Sequence, residues 1–151
     1  MKKLVLVALA LILCLLPLSA CEEKPAEDPV PTDPFGLAVS VKNVTDAGLT
    51  FVFHRSEDNG MEYLVGNAYR LETDFHGRWI PVETILPEDQ ELVFTTEAYA
   101  LSVGNYEMNI DWTWAYGNLK PGTYRITKGV TARENGVTVG AFSYSATFTI
   151  E

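Results

Sequence analysis

The chain has 151 residues and a mass of 16.7 kDa, enough for one domain and short of two. Its 47% hydrophobic and 21% charged residues exclude a disordered protein, and 20 acidic against 11 basic side chains, a net charge of −9, argue against binding nucleic acid by bulk charge. Two cysteines are too few for a disulfide-stapled mini-protein.

The first element is a leader. Lys2 and Lys3 precede an apolar run from Leu4 to Leu18, fifteen residues long, which suits the core of a signal peptide and falls short of the roughly 20 that a membrane span needs. Leu18-Ser19-Ala20-Cys21 then resembles the bacterial lipobox. The resemblance implies cleavage after Ala20, lipid on the Cys21 thiol, and a protein held at the extracytoplasmic face of a bacterial cell membrane. Residues 1–20 are accordingly read as a cleaved signal helix. Cys14 leaves with that leader and Cys21 becomes a thioether, so the remaining chain has no free thiol for nucleophilic catalysis, thiolate zinc or iron–sulfur chemistry.

Residues 21–35 read as the lipidated cysteine and a disordered tether. Four prolines (Pro25, Pro29, Pro31, Pro34) and five acids occupy the fourteen positions from Glu22 to Phe35, which forbids a helix and extends the chain by like charge. At about 3.1 Å per residue such a tether reaches roughly 40 Å. Loss of Lys2 and Lys3 takes the net charge from −9 to −11, so anionic headgroups repel the domain.

From residue 36 to 151 the apolar residues recur every second position. Leu37-Val39-Val41, Leu49-Phe51-Phe53, Tyr124-Ile126 and Phe142-Tyr144-Ala146-Phe148-Ile150 each alternate with polar or small partners, the pattern of half-buried antiparallel strands. Seven or eight strands are predicted, near Leu37–Val44, Leu49–His54, Ala68–Phe75, Trp79–Glu83, Glu91–Ala98, Tyr106–Thr113, Tyr124–Arg133 and Val137–Ile150, with a break expected at Gly140. Turn residues separate them at Asp46–Gly48, Asp58–Gly60, His76–Arg78, Pro121-Gly122 and Asn135-Gly136, and Pro87–Gln90 is allowed one helical turn. Short strands with turns every 8–12 residues over about 116 residues describe an all-β antiparallel sandwich.

Two segments carry a resemblance. Tyr69-Arg70-Leu71-Glu72 with Gly77-Arg78-Trp79-Ile80-Pro81-Val82, and Asp111-Trp112 with Tyr116-Gly117-Asn118-Leu119-Lys120-Pro121-Gly122-Thr123-Tyr124-Arg125-Ile126, resemble bacterial immunoglobulin-like domains of secreted and lipid-anchored proteins. The resemblance covers most of Leu49 to Ile150. It implies a type II turn with Gly122 in the left-handed region, and a buried Tyr124 whose hydroxyl caps local backbone. The inter-sheet disulfide of antibody domains is missing, so packing alone must hold the core, with Trp79, Trp112 and the Phe/Tyr set as its bulk.

Few residues invite chemistry. His54 ends a strand and His76 lies in a turn, and zinc would need both together with a carboxylate, so both read as surface residues. Glu57-Asp58-Asn59-Gly60 offers oxygen ligands without the spacing of a calcium loop. Asp111 beside Trp112 and Trp114 suits sugar stacking, but alternation sends both tryptophans to the core. No residue is assigned as catalytic, metal-binding or cofactor-binding, and no cofactor is expected. The expectation is a monomeric, non-catalytic ectodomain that binds an envelope protein or glycan, with the Arg55–Glu62 loop and the Pro87–Glu91 segment as exposed contact surfaces. A spacer in an envelope assembly, or an inhibitor or enzyme with a site built from loops, are the alternatives.

Overall fold

A computed structural model describes residues 36–151. The predicted signal peptide, Cys21 and the tether lie outside the described residues.

Nine strands and one helical turn follow in order: β1 (Leu37–Lys42), β2 (Gly48–Arg55), β3 (Glu62–Gly66), β4 (Arg70–Phe75), β5 (Arg78–Pro81), β6 (Ala98–Ala100), β7 (Gly104–Asp111), α1 (Thr113–Tyr116), β8 (Gly122–Glu134) and β9 (Val137–Ile150). All pairings are antiparallel. One sheet has the order β1-β2-β7. The other is built on β8, which pairs along one edge with β9 and along the other with β4 at residues 124–127 and β3 at 130–133. β5 extends β4, and β6 extends β3. The two sheets form a sandwich.

Alternation selects what lies between them. Leu37, Val39, Leu49, Phe51 and Phe53 come from the first sheet and Tyr63, Val65, Leu71, Ile126, Val130 and Ala132 from the second, all buried. Trp112 is fully buried and closes one end. Its ring stacks on Phe148 at 5.6 Å, Phe148 stacks on Tyr124 at 5.7 Å, and the indole N–H donates to the Asp46 carbonyl at 2.7 Å. The Tyr124 hydroxyl donates to the Lys120 carbonyl at 2.8 Å, the local cap the resemblance implied.

Two hairpins have two-residue turns in which both residues take positive φ, His76-Gly77 (54° and 80°) and Asn135-Gly136 (51° and 79°). That geometry matches the right-handed twist of the strands it joins. Gly122, in contrast, has no positive φ. The type II turn is not formed, because Gly122 already pairs with Ile150 as the first residue of β8.

The expected strand over Glu91–Ala98 is not formed; residues 82–97 run as irregular chain, with a turn closed by the Gln90 N–H on the Pro87 carbonyl at 2.9 Å. Leu92 and Phe94 still pack on the core while Val93 points to solvent, so the alternation is real but pairs with nothing. Strand β3 is not among the predicted strands, because its five residues follow Gly60-Met61 and end at Gly66, too short a run for periodicity to register. β9 does not break at Gly140: the ladder passes from Ala132–Gly140 to Arg133–Thr138, so Val139 is the extra residue of a bulge. Trp79 is also not in the core. It lies half-buried on the short strand β5, under the Arg125 guanidinium at 4.7 Å, while Arg125 pairs with Glu72 at 2.7 Å.

Candidate functional site

Two expected contact surfaces differ in kind. The Arg55–Glu62 loop is organised from inside: Arg55 is buried, donates to the carbonyls of Leu101 (2.7 Å), Met61 (2.8 Å) and Glu57 (3.3 Å), and lies over the Tyr63 ring at 5.0 Å. Arg55 is therefore not an exposed contact residue, since its guanidinium is spent on four hydrogen bonds that hold the loop and tie it to Leu101. The oxygens suggested for calcium serve the same loop. Asp58 Oδ1 accepts from Gly60 N–H and Arg55, and Asn59 Oδ1 accepts from Met61 N–H. Ser56 to Gly60 remain exposed, as does Pro87–Glu91.

The histidines lie on different sheets. His54, on β2, bonds Ser40 Oγ at 2.7 Å and Asn105 Oδ1 at 2.9 Å, and His76 occupies the β4–β5 turn.

A cavity of about 260 Å³ opens between β7, the β3–β4 connection and the unpaired segment at residues 93–95. Asp111, Trp114, Asn109, Tyr69, Phe94 and Lys128 are among its lining residues. Local hydrogen bonding explains why Trp114 is there. Asp111 Oδ1 accepts from both the backbone N–H (2.8 Å) and the hydroxyl (2.6 Å) of Thr113, a turn that ends β7 and starts α1. A helical turn abolishes the two-residue period, so Trp112 goes into the core while Trp114 stays 48% exposed. The expectation that both tryptophans are core residues fails for Trp114 for this reason. The Trp114 N–H is held by the Asp111 carbonyl at 3.1 Å, and Phe94 meets the indole edge-to-face at 5.9 Å.

Lys128 forms the floor. It is fully buried, and its ammonium donates to the carbonyls of Gly66 (2.8 Å), Ala68 (3.2 Å) and Asn67 (3.4 Å). The β3–β4 connection leaves the β8 ladder at these residues, and an interior carbonyl without a partner is costly. One ammonium with three donors replaces the lost ladder. Burial lowers its pKa to about 8. Tyr69 stands beside it, buried, with its ring 4.9 Å from Phe94, and its hydroxyl has no partner among the described residues. Burial first, then the fields of Tyr116 and Asp111, push the Tyr69 phenol upward, so it stays protonated.

Sequence reasoning did not reach Tyr69 or Lys128 as site residues. One signal was present: Lys128 is the only charged member of the inward series Tyr124, Ile126, Lys128, Val130, Ala132.

The family model of a bacterial Ig-like domain matches residues 34–149. The chain belongs to the bacterial Ig-like domain family. No curated protein matches it. In this Ig-like domain residues 93–95 of the irregular segment line the cavity beside β7, the last strand of its sheet.

Proposed function

We propose that the chain is a lipid-anchored, extracytoplasmic Ig-like module that binds a component of the bacterial envelope and catalyses nothing. One observation carries the reading: an Ig-like domain follows the lipobox-like run Leu18-Ser19-Ala20-Cys21 and an acidic, proline-rich segment, the order expected of an anchor, a spacer and a presented domain. The side-chain chemistry supports it. The groups that line the cavity beside β7 are open hydrogen-bonding groups and an aromatic surface, an arrangement for recognition rather than a nucleophile hydrogen-bonded to its base. Family membership alone does not fix the function of a sandwich.

The test has two arms. Intact-mass analysis of full-length protein expressed in a bacterium and extracted from membranes should give residues 21–151 plus acyl mass, and more than one acyl chain, because a single chain anchors only marginally. An unmodified chain starting elsewhere overturns the anchor. The same extracted protein, tagged at its C-terminus, should retain a specific envelope component in a pull-down while remaining inert on a hydrolase panel. Turnover that disappears on Asp111→Asn overturns the non-catalytic reading.

A further inference from the structure

The cavity beside β7 combines three features that together define what can occupy it. First, Trp114 presents nearly half of its surface to solvent, held in one orientation by its own N–H bond to Asp111 and by Phe94. Second, three hydrogen-bonding groups around it are open. Among the described residues, Asp111 uses Oδ1 for Thr113 and leaves Oδ2 free, Asn109 uses Oδ1 for Thr50 and leaves its amide N–H₂ free, and the Tyr69 hydroxyl has no partner although Tyr69 is only 9% exposed. Third, the charges are bound up in the wall. Lys128 spends all three donors on backbone carbonyls, so it supplies no hydrogen bond to an anion, and the Asp111 carboxylate repels one. A cation meets the buried Lys128 charge instead.

The occupant that fits is uncharged, has both donors and acceptors, and has an apolar face. An orphaned buried hydroxyl is costly until something completes it. A pocket of about 260 Å³ is at the small end of ligand sites, with room for one ring. A pyranose has this form: its C–H face lies on an aromatic ring and adjacent hydroxyls both donate and accept. Resting on the binding-module reading above, we propose that this cavity binds one neutral hexose ring of a glycan, stacked on Trp114 and held at its hydroxyls by Asp111, Asn109 and Tyr69.

The test uses the full chain in a zwitterionic detergent without a sugar headgroup, titrated with cellohexaose, chitohexaose, mannohexaose and, as the charged comparison, hexagalacturonate. Tryptophan fluorescence and calorimetry report binding, and thermal melting reports folding. Saturable binding of at least one neutral hexasaccharide is expected, weakened about tenfold or more by Trp114→Ala. Asp111→Asn, which swaps the free acceptor for a donor while leaving an oxygen for Thr113, should weaken it comparably, and Tyr69→Phe less. If Trp114→Ala fails to fold, Asp111→Asn decides alone. The proposal falls if no neutral sugar binds at about 10 mM, if binding survives both Trp114→Ala and Asp111→Asn, or if only hexagalacturonate binds. A pull-down that retains a protein through Trp114 while every sugar fails would overturn the glycan and leave the binding module standing.

Discussion

At the scale of single residues, context separates side chains that the sequence treats alike. Trp79 and Trp112 both look like core bulk, yet one lies half-buried under Arg125 on β5 and the other is fully buried between the sheets. Trp112→Ala should cost about 3–5 kcal/mol in urea unfolding, the range for deleting a large buried aromatic. Trp79→Ala should cost less than about 1.5 kcal/mol, since an exposed cation–π contact is worth about 0.5–1 kcal/mol. Equal costs would contradict the assigned positions. Lys128 gives a second residue-scale prediction, with a definite sign. Its folded pKa of about 8 lies below the ordinary 10.5, so between these values the unfolded chain binds a proton that the folded chain has shed. Stability therefore rises with pH across that window, by up to about 1.4 kcal/mol per unit, and the cost of burying the charge is fully present below pH 8. Tyr69 titrates upward of the ordinary 10.0 in the fold, which lowers stability only above pH 10. Melting temperature should thus climb from pH 8 to pH 10 in the wild type and stay flat in Lys128→Met, with Met also leaving three carbonyls unpaired. A flat wild-type profile would show that Lys128 keeps its proton in the fold.

At the scale of elements, what the sequence made legible was whatever alternation could report. β1, β2, β4, β5, β7, β8 and β9 lie where the period-two runs place them, within a few residues at their ends. Alternation reports which face is buried, and says nothing about whether an edge finds a partner. That is why Glu91–Ala98 reads as a strand although only Leu92 and Phe94 pack inward and no ladder forms over residues 91–97. The same limit hid the site. Trp114 was assigned to the core by carrying the β7 period one turn too far, past the Asp111–Thr113 hydrogen bonds that end it. The Asp111-Trp-Thr-Trp run was legible as a place where sugar chemistry could occur; the exposure of Trp114 was not, because it depends on α1. Pairing of β2 with β7 imposes a constraint of its own at Gly48, whose Cβ, if present, would lie 2.2 Å from the Ile110 carbonyl oxygen. Backbone cannot yield as a side-chain tip does. Gly48→Ala should therefore destabilise by at least the roughly 1–3 kcal/mol of an overpacked core, whereas Gly129→Ala, with open space around its Cβ, should stay within about 1 kcal/mol. Denaturant midpoints compare the two directly, and a tolerated Gly48→Ala would mean that β2 and β7 separate at that end.

At the scale of the whole molecule, the sandwich closes on itself without covalent help. Both cysteines, Cys14 and Cys21, precede residue 36, so the domain can hold no disulfide. What replaces one is a continuous apolar interior from Leu37 near the start to Ile150 near the end. The first and last strands add to it from different sheets, so the two ends of the domain are fixed by the same core. The ordering cost of a domain of about 116 residues is large, and its core suffices only if the charges buried in it are paired. Arg55 and Lys128 meet that condition by spending buried charge mainly on backbone carbonyls, with Asp58 as the one acid that Arg55 also pairs. A polypeptide of residues 36–151 should therefore fold alone. Its circular dichroism should be dominated by strand, and it should sediment as a monomer. Neither chelator nor reductant should move its melting curve, because residues 36–151 contain no cysteine and bring no three His, Asp or Glu side chains together for a metal. A melting temperature that drops on chelation would return the Glu57–Asn59 oxygens to consideration as calcium ligands. A polypeptide that unfolds once residues 1–35 are removed would mean that the acidic segment, read as a spacer, packs on the sandwich and completes its core.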